Sequence, residues 1–385
     1  NAKSATDSAT IAKNKPVFTV VKQNPITSIK DQNRSGTCWA YSTLSYFESE
    51  ILKHTGKTYD LSEMFVANKT YMDRATMAVR MHGDVSFSQG GSAYDVLYAL
   101  QHYGIVPEGA MPAPGTLTGD SLANFGEFFD VMTPYVEAVA KSNAKKISSA
   151  WKSGLQGIID SYIGKTPEKF TYQGKQYTPQ SFCQSLGLNL DDYVTITSYT
   201  HHPMWSKFAV EVQDNWRWPL SYNVPMDDLC KIIDNAINNG YTVAWGGDVT
   251  EDGFTRKGLG IAYDVKKVRS MAGTDADHWF KLSKDEKKEK FDSLGVNAPE
   301  VVPTQAMRQE AFDNWETTDD HGMHIYGIAK DQNGKEYYMV KNSWGEYGDY
   351  KGTWYMTKAF VAYKTMDFMV NKNAIPKDIR KKLGI

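Results

Sequence analysis

The sequence predicts an α+β fold in two lobes, α-rich in front and β-rich behind, with a helical insertion between them. Three observations carry this. After Trp39 the apolar residues Leu44, Phe47 and Ile51 recur at helical spacing. From Tyr193 the pattern changes to short β-rich runs: YVTITSY (193–199), FAVEV (208–212), YTVAWGG (241–247), HIYGIAK (324–330), EYYMVKNSW (336–344) and GTWYMTKAF (352–360). At 385 residues the chain has room for two domains, or one large two-lobed domain, around a sizeable core.

Taken in order, residues 1–16 are polar with no periodic apolar face and read as a flexible lead-in. The chain opens on Asn1 rather than Met, which fits a removed signal peptide and an exported, periplasmic location, or a trimmed start. Residues 17–115 form the α-rich lobe: a short strand, a helix from Trp39 stopped by Gly56, and helices over 61–75 and 93–103. Asp60 and the Gly90-Gly91-Ser92 turn precede the last two. The stretch MPAPGTLTGD (111–120) marks a boundary. The helical insertion fills 116–192, with a hairpin-like TYQGKQY (171–177) inside it. Residues 193–370 form the β-rich lobe, interrupted by a helix over 226–239 and by charged helices over 280–312, most simply solvated faces. Residues 371–385 are left as a tail that enters the cleft or lies outside it.

Composition excludes more than it selects. A formal net charge of −2 leaves no electrostatic footprint for nucleic acid, and no apolar run is long enough to span a bilayer. The 13% aromatic content suits seams, clefts or interfaces. Cys38, Cys183 and Cys230 are odd in number, far apart and without a CxxC pair, so neither a disulfide scaffold nor a zinc site is expected. Cys183 and Cys230 read as small buried hydrophobes. The pair His201-His202 reads as non-metal: adjacent residues on an extended segment point apart, and no carboxylate or Cys pattern stands nearby.

Cys38 is different because of its place in DQNRSGTCWAY (31–41), where a loop meets a helix. The N–H groups and partial positive charge of a helix N-terminus stabilise a thiolate, the nucleophilic form. Gly36 lets the loop backbone approach whatever binds at the thiol. Gln32 is either an ordinary loop residue or an amide donor for charge developing on a carbonyl oxygen. A thiolate nucleophile needs an imidazole partner, and DDHGMHIYGIAK offers His321 and His324. Asn342 follows His321 by 21 residues at the end of the next strand, close enough across an antiparallel pair to orient the ring. Trp344 is placed to shield that bond from water. His324 points to the opposite face if one strand includes both histidines.

Gln32, Ser-Gly-Thr-Cys-Trp (35–39), His321-Gly322-Met323 and Asn342-Ser343-Trp344-Gly345 together resemble the papain-type cysteine peptidases. Ser35 stands where papain relatives carry a second cysteine, so their neighbouring disulfide is absent. The spacing of 283 residues from Cys38 to His321 (321 − 38) exceeds the papain pattern by on the order of 140. The added segments, Ile163 to Phe170, Tyr177-Thr178-Pro179, Tyr222 to Pro225 and Val243 to Val249, resemble the bleomycin hydrolase/aminopeptidase C branch. The likeness runs from about Ile26 to about Phe360, nearly the whole chain.

The resemblance implies a papain-like fold and a peptidase that removes residues from peptide N-termini, commonly as a hexamer with enclosed active sites. It implies Cys38 as nucleophile, His321 as general base and acid, Asn342 as its orienter, and Gln32 with the Cys38 N–H as oxyanion hole. Gly90 and Gly91 match the glycine pair along which substrate backbone lies, or are simply a turn before a helix. Asp248 matches the family and reads as structural. No metal or other cofactor is implied. In the family the last residues enter the cleft and a terminal carboxylate receives the substrate's α-ammonium, a role that falls here to Ile385. The basic tail NKNAIPKDIRKKLGI departs from the family's Pro-Trp-Asp-Pro-Met-Gly type of ending. Peptides are therefore the expected partners, with a homo-oligomer by resemblance. The alternatives are a papain-like endopeptidase and a catalytically silent assembly or binding protein. The family's habit is cytoplasmic, against the exported reading of the N-terminus.

Overall fold

The computed structural model describes residues 13–115, 119, 121–271 and 276–385. Most of the lead-in expected over 1–16, and part of the boundary expected at 111–120, lie outside the described residues. The strands in chain order are β1 (Thr19–Gln23), β2 (Phe170–Tyr172), β3 (Lys175–Tyr177), β4 (Tyr193–Thr197), β5 (Lys207–Phe208), β6 (Ser221–Asn223) and β7 (Val243–Gly247). They continue with β8 (Phe254–Thr255), β9 (Leu259–Gly260), β10 (His321–Lys330), β11 (Glu336–Lys341), β12 (Thr353–Thr357) and β13 (Thr365–Asn371). β2 and β3 pair as the hairpin expected at 171–177. The others form one sheet in the order β5-β6-β4-β13-β7-β10-β11-β12-β9-β8, with β1 paired to β10.

Two hydrophobic cores flank one helix. The first gathers Trp39, Phe47 and Phe65 from the front of the chain with Phe128, Leu155 and Phe182 from the 116–192 stretch. The inserted helices Gly126–Ala140 and Ala150–Tyr162 thus bury in the same core as the front lobe. The second lies on the sheet and holds Ile233, Trp245, Ile325, Val340 and Phe368. The helix Cys38–Thr55 runs between them and is buried without a break from Trp39 to Ile51. Burial all round explains why its polar residues must find partners. Glu48 accepts the Leu61 N–H at 2.8 Å, and Glu50 accepts Asn371 Nδ2 at 3.0 Å. Gly56 ends the helix in the left-handed region at φ 70°.

Several elements differ from expectation. The second helix is Glu63–Arg80, and its cap is Ser62, whose hydroxyl accepts the Phe65 N–H at 3.1 Å, not Asp60. Asp60 instead pairs with Lys30 at 2.6 Å. FAVEV stops being a strand after Phe208 and continues as a loop, because β6 offers only a short edge. β13 was not foreseen, although it lies in the middle of the sheet between β4 and β7. Its run TMDFMVN is buried on both faces, so it lacks the alternation that marks a half-exposed strand. The tail forms a helix, Lys377–Leu383, whose Ile379 and Leu383 bury in the second core.

Candidate active site

The loop before Cys38 is shaped by close packing. Gly36 has φ +63°, and any side chain there would overlap Gln89. Gln89 in turn is fixed through its carbonyl, which accepts Trp39 Nε1 at 3.0 Å and the Tyr71 hydroxyl at 3.1 Å. Cys38 begins its helix as expected, half-buried, with its free thiol on a cavity of ≈ 350 Å³. That volume is at the small end of ligand sites, about 300–1,000 Å³.

β10 starts at His321 and β11 ends just before Asn342, and the two strands pair antiparallel. The expected bond is present: His321 Nε2 lies 2.8 Å from Asn342 Oδ1, so the ring donates and its Nδ1 is left for the cavity. Asn342 Oδ1 also accepts the Ser343 N–H at 2.8 Å. Trp344 covers the imidazole with ring centroids 4.9 Å apart. Gly322, next to His321, lies on the first turn of the Cys38 helix: a Cβ there would come 3.4 Å from Trp39 Cα and 3.5 Å from Cys38 O. Cys38 and His321 therefore line one cavity from opposite lobes. His324 points the other way, fully buried, with Nδ1 2.8 Å from Ser45 Oγ.

Gln32 is held by the same segment that supplies Asn342. Its backbone N–H donates to Ser343 O at 2.8 Å, and Ser343 Oγ donates to its Oε1 at 2.6 Å. With Oε1 occupied, the amide nitrogen is the group left to face the cavity that Gln32 lines. Gly345 N donates to Lys30 O at 3.1 Å, closing this seam between the two segments. Asp248 fastens the approach to His321: it accepts the N–H groups of Thr250 at 2.8 Å and Thr318 at 2.9 Å.

Gly90 and Gly91 form the opposite wall. A Cβ on Gly91 would stand 2.8 Å from the Trp39 ring, and one on Gly90 would overlap the Asp214 carboxylate. Asp214 belongs to the loop that follows Phe208, two residues beyond the strand expected over 208–212, and nothing in the sequence ties it to the site. Fully buried Arg74 fixes it, donating from Nη1 to Asp214 Oδ1 at 3.0 Å and to Gly90 O at 2.6 Å. Asp319, Asp320 and Asp367 also line the cavity. Of these residues only the Asp-Asp before His321 stands out in sequence, and nothing local ties Asp214 or Asp367 to it.

Burial governs the ionisation of the pair. It pushes the Cys38 thiol up to about 11, against the lowering effect of the Gly322 and Trp39 N–H groups. It pushes His321 down to about 4, with Asn342 opposing. Each shift opposes one isolated charge. A proton passed from Sγ to the ring makes both charges together, so their attraction offsets the burial cost of each.

Two expectations need correction. Ile385 does not line the cavity; it packs against the second core with Cys230 and Trp205, because the tail helix docks there through its apolar face. Lys382 stacks over the Trp205 ring at 4.6 Å, and Asn235 Nδ2 pins Ala374 O at 2.6 Å. His201 and His202 also have a carboxylate beside them. They stand in a turn, not on an extended strand, and Glu211 bonds His201 Nε2 at 2.9 Å and His202 Nε2 at 2.7 Å. These three residues bring their ligand atoms within 4.8 Å of one another, already satisfied by those bonds.

The sequence pattern of the Peptidase C1-like family matches residues 1–298 and 300–384. The chain belongs to the Peptidase C1-like family. It is a cysteine-type peptidase. Among its relatives, Aminopeptidase G of Lactobacillus delbrueckii subsp. lactis is 23% identical, over 94% of this chain and 84% of that one. Aminopeptidase C of Lactobacillus helveticus is 24% identical over 94% and 85%, and Bleomycin hydrolase of Rattus norvegicus 22% over 96% and 86%. The crystal structure of PepW from Lactobacillus rhamnosis superposes with a TM-score of 0.71 at 19% identity, covering 98% of this chain and 86% of that one. The fold is thus α+β and papain-like. No helix among the described residues is long and apolar enough to cross a membrane.

Proposed function

We propose that this Peptidase C1-like chain is a cysteine aminopeptidase acting on peptides. Its relatives named aminopeptidases support the reading, but one observation carries it: the Asp214 carboxylate, held by Arg74, packs directly against Gly90 on the cavity wall. A peptide running along that wall meets a carboxylate and ends there. An endopeptidase needs that end of the groove open.

In this reading Cys38 Sγ attacks the carbonyl carbon of the first residue while its proton passes to His321 Nδ1. The developing oxyanion takes hydrogen bonds from Gln32 Nε2 and the Cys38 N–H. His321 then gives the proton to the departing amine, the C–N bond breaks and a thioester remains. Water, losing a proton to Nδ1, attacks the thioester, and the proton returns to Sγ as the acid leaves. Asn342 holds the ring through Nε2 in every step. The reading includes a homo-oligomer, a hexamer, which rests on the family resemblance and is checked by light scattering.

The test compares leucine aminomethylcoumarin amide with its Nα-acetyl form. The expected result is a strong preference for the free amine, and loss of both activities in Cys38→Ala. Equal or better cleavage of the acetylated substrate makes the protein an endopeptidase instead. Undiminished activity in Cys38→Ala removes the nucleophile assignment.

A further inference from the structure

Four carboxylates line the cavity beside the nucleophile, and they are not alike. Asp214 is engaged by Arg74 at 3.0 Å and by Ser88 Oγ at 3.4 Å. Asp320 accepts Thr250 Oγ1 at 2.7 Å and Thr318 Oγ1 at 2.9 Å. Among the described residues Asp319 and Asp367 accept no hydrogen bond and join no ion pair. Both are half-buried and line the cavity. A carboxylate taken from water without a partner is costly, and a second one beside it adds repulsion. Two unpaired carboxylates on a catalytic cavity therefore mark a place where the ligand brings the missing charge.

The register of the sheet fixes where that charge sits. Asp367 pairs with Gly246, and Gly246 pairs with Gly322, the residue after His321. Gly246 presents no side chain, and a Cβ there would lie 3.4 Å from Asp367 Oδ1. Two strand spacings put the Asp367 backbone on the order of 10 Å from that of Gly322. Asp319 lies two residues before His321, at most about 7 Å away along the chain. Each side chain reaches a few ångströms inward from there. The α-nitrogen of a first residue lies two bonds, roughly 2.5 Å, from its own carbonyl carbon, so with that carbon at Cys38 the amine lies in the cavity that Asp319 and Asp367 line. Nothing beyond Asp367 in sequence lines this cavity, the tail helix being docked on the second core.

We propose that Asp319 and Asp367 are the receptor for a primary ammonium group of the substrate, the α-ammonium of its first residue. Asp214 closes the groove behind that group. The assignment rests on the aminopeptidase reading above and says which side chains enforce it. Burial raises the pKa of both carboxyls, that of Asp319 further through Asp214 and Asp367, so an incoming cation relieves an existing repulsion.

The double variant Asp319→Asn/Asp367→Asn tests this with three coumarin amides: free leucine, Nα-acetyl-leucine and Nα-acetyl-lysine. Relative to wild type, the ratio of free to acetylated leucine kcat/KM should fall about 10- to 100-fold, the worth of a charge-assisted bond. An unchanged ratio overturns the proposal. A selective loss of the acetyl-lysine substrate, with free leucine spared, assigns the receptor to a lysine side chain and also overturns it. Should wild type show no preference for the free amine, the aminopeptidase reading fails first, before any variant is made. Protection of Cys38 from iodoacetamide supplies a measurement on unaltered protein. Leucinamide should slow alkylation at concentrations where N-acetyl-leucinamide does not, and equal protection counts against the receptor.

Discussion

The hydroxyl of Ser343 donates to Gln32 Oε1 at 2.6 Å, so the residue next to Asn342 holds an amide that lies 311 positions earlier in the chain. One short segment thereby sets two groups at once, the imidazole through Asn342 and the amide through Ser343. The bond also decides which end of the Gln32 amide faces the cavity.

Replacing Ser343 by Ala releases that amide to rotate. Ser343 is a positioning residue, so kcat should fall on the order of 10-fold while KM for a free-amine substrate stays within about twofold. A rise in KM with kcat intact would place the effect on binding and refute the positioning role. Ser343→Thr, which keeps the hydroxyl, should recover part of kcat.

Asn342→Ala removes the acceptor from His321 Nε2. Because the Asn342 bond raises the His321 pKa against burial, its loss pushes the ring still further below about 4 and frees its orientation. We expect kcat/KM to fall by on the order of 100-fold. The rate of Cys38 alkylation against pH reads the same change, since a ring that protonates less readily takes the thiol proton less readily. Identical alkylation profiles in variant and wild type would count against it.

Arg74→Met leaves the Asp214 carboxylate without its cation and Gly90 O without its donor. Breaking a buried pair from one side costs roughly 3–5 kcal/mol, the upper part of that range applying only where both partners are fully buried. Asp214 is 25% exposed, so the lower part applies here. Thermal unfolding should show the loss. The variant should also cleave acetylated peptides better, because the groove above Gly90 opens. An Arg74→Met protein with wild-type Tm and wild-type selectivity would show that the pair neither fastens nor closes the wall.

Substrate binding should depend on pH through Asp367, whose carboxyl burial raises from 3.8 to about 6. Burial is the cause at Asp367, and the charged groups that share the cavity wall with it are Asp214, Asp319 and Asp320, with Arg74 behind Asp214. Above about 6 Asp367 is ionised and attracts an ammonium; as pH falls through that value it becomes neutral. For the ligand-free protein the sign is opposite. A carboxyl whose folded pKa lies above its unfolded one favours the fold at low pH and gives that stability up as pH rises towards 6. Leucinamide should therefore raise Tm at pH 7.5 and much less at pH 5. An equal rise at both values would separate ammonium binding from this carboxylate.

How much of this was legible in the sequence follows from where each signal lies. The helix that opens on Cys38, its stop at Gly56, and the His321 and Asn342 strands are local patterns, and each appears where its residues put it. Helical spacing, turn residues and motif order are properties of neighbours along the chain. β13 stayed hidden because a strand buried on both faces has no alternation to read. The loop of Asp214 stayed hidden because FAVEV has strand residues but finds only a two-residue partner edge.

The sequence by itself therefore determined the helix that opens on Cys38, the strands of His321 and Asn342, and the α+β character of the chain. Only tertiary structure decided which carboxylates share the cavity, that Asp214 packs against Gly90, and that Ile385 lies elsewhere. The physical reason is range. Periodicity and capping act over a few residues, whereas the charge of a cleft is set by strand register and helix docking. Register brought Asp367 to Gly246 and Gly246 to Gly322, and the apolar face of Lys377–Leu383 drew the tail onto the second core.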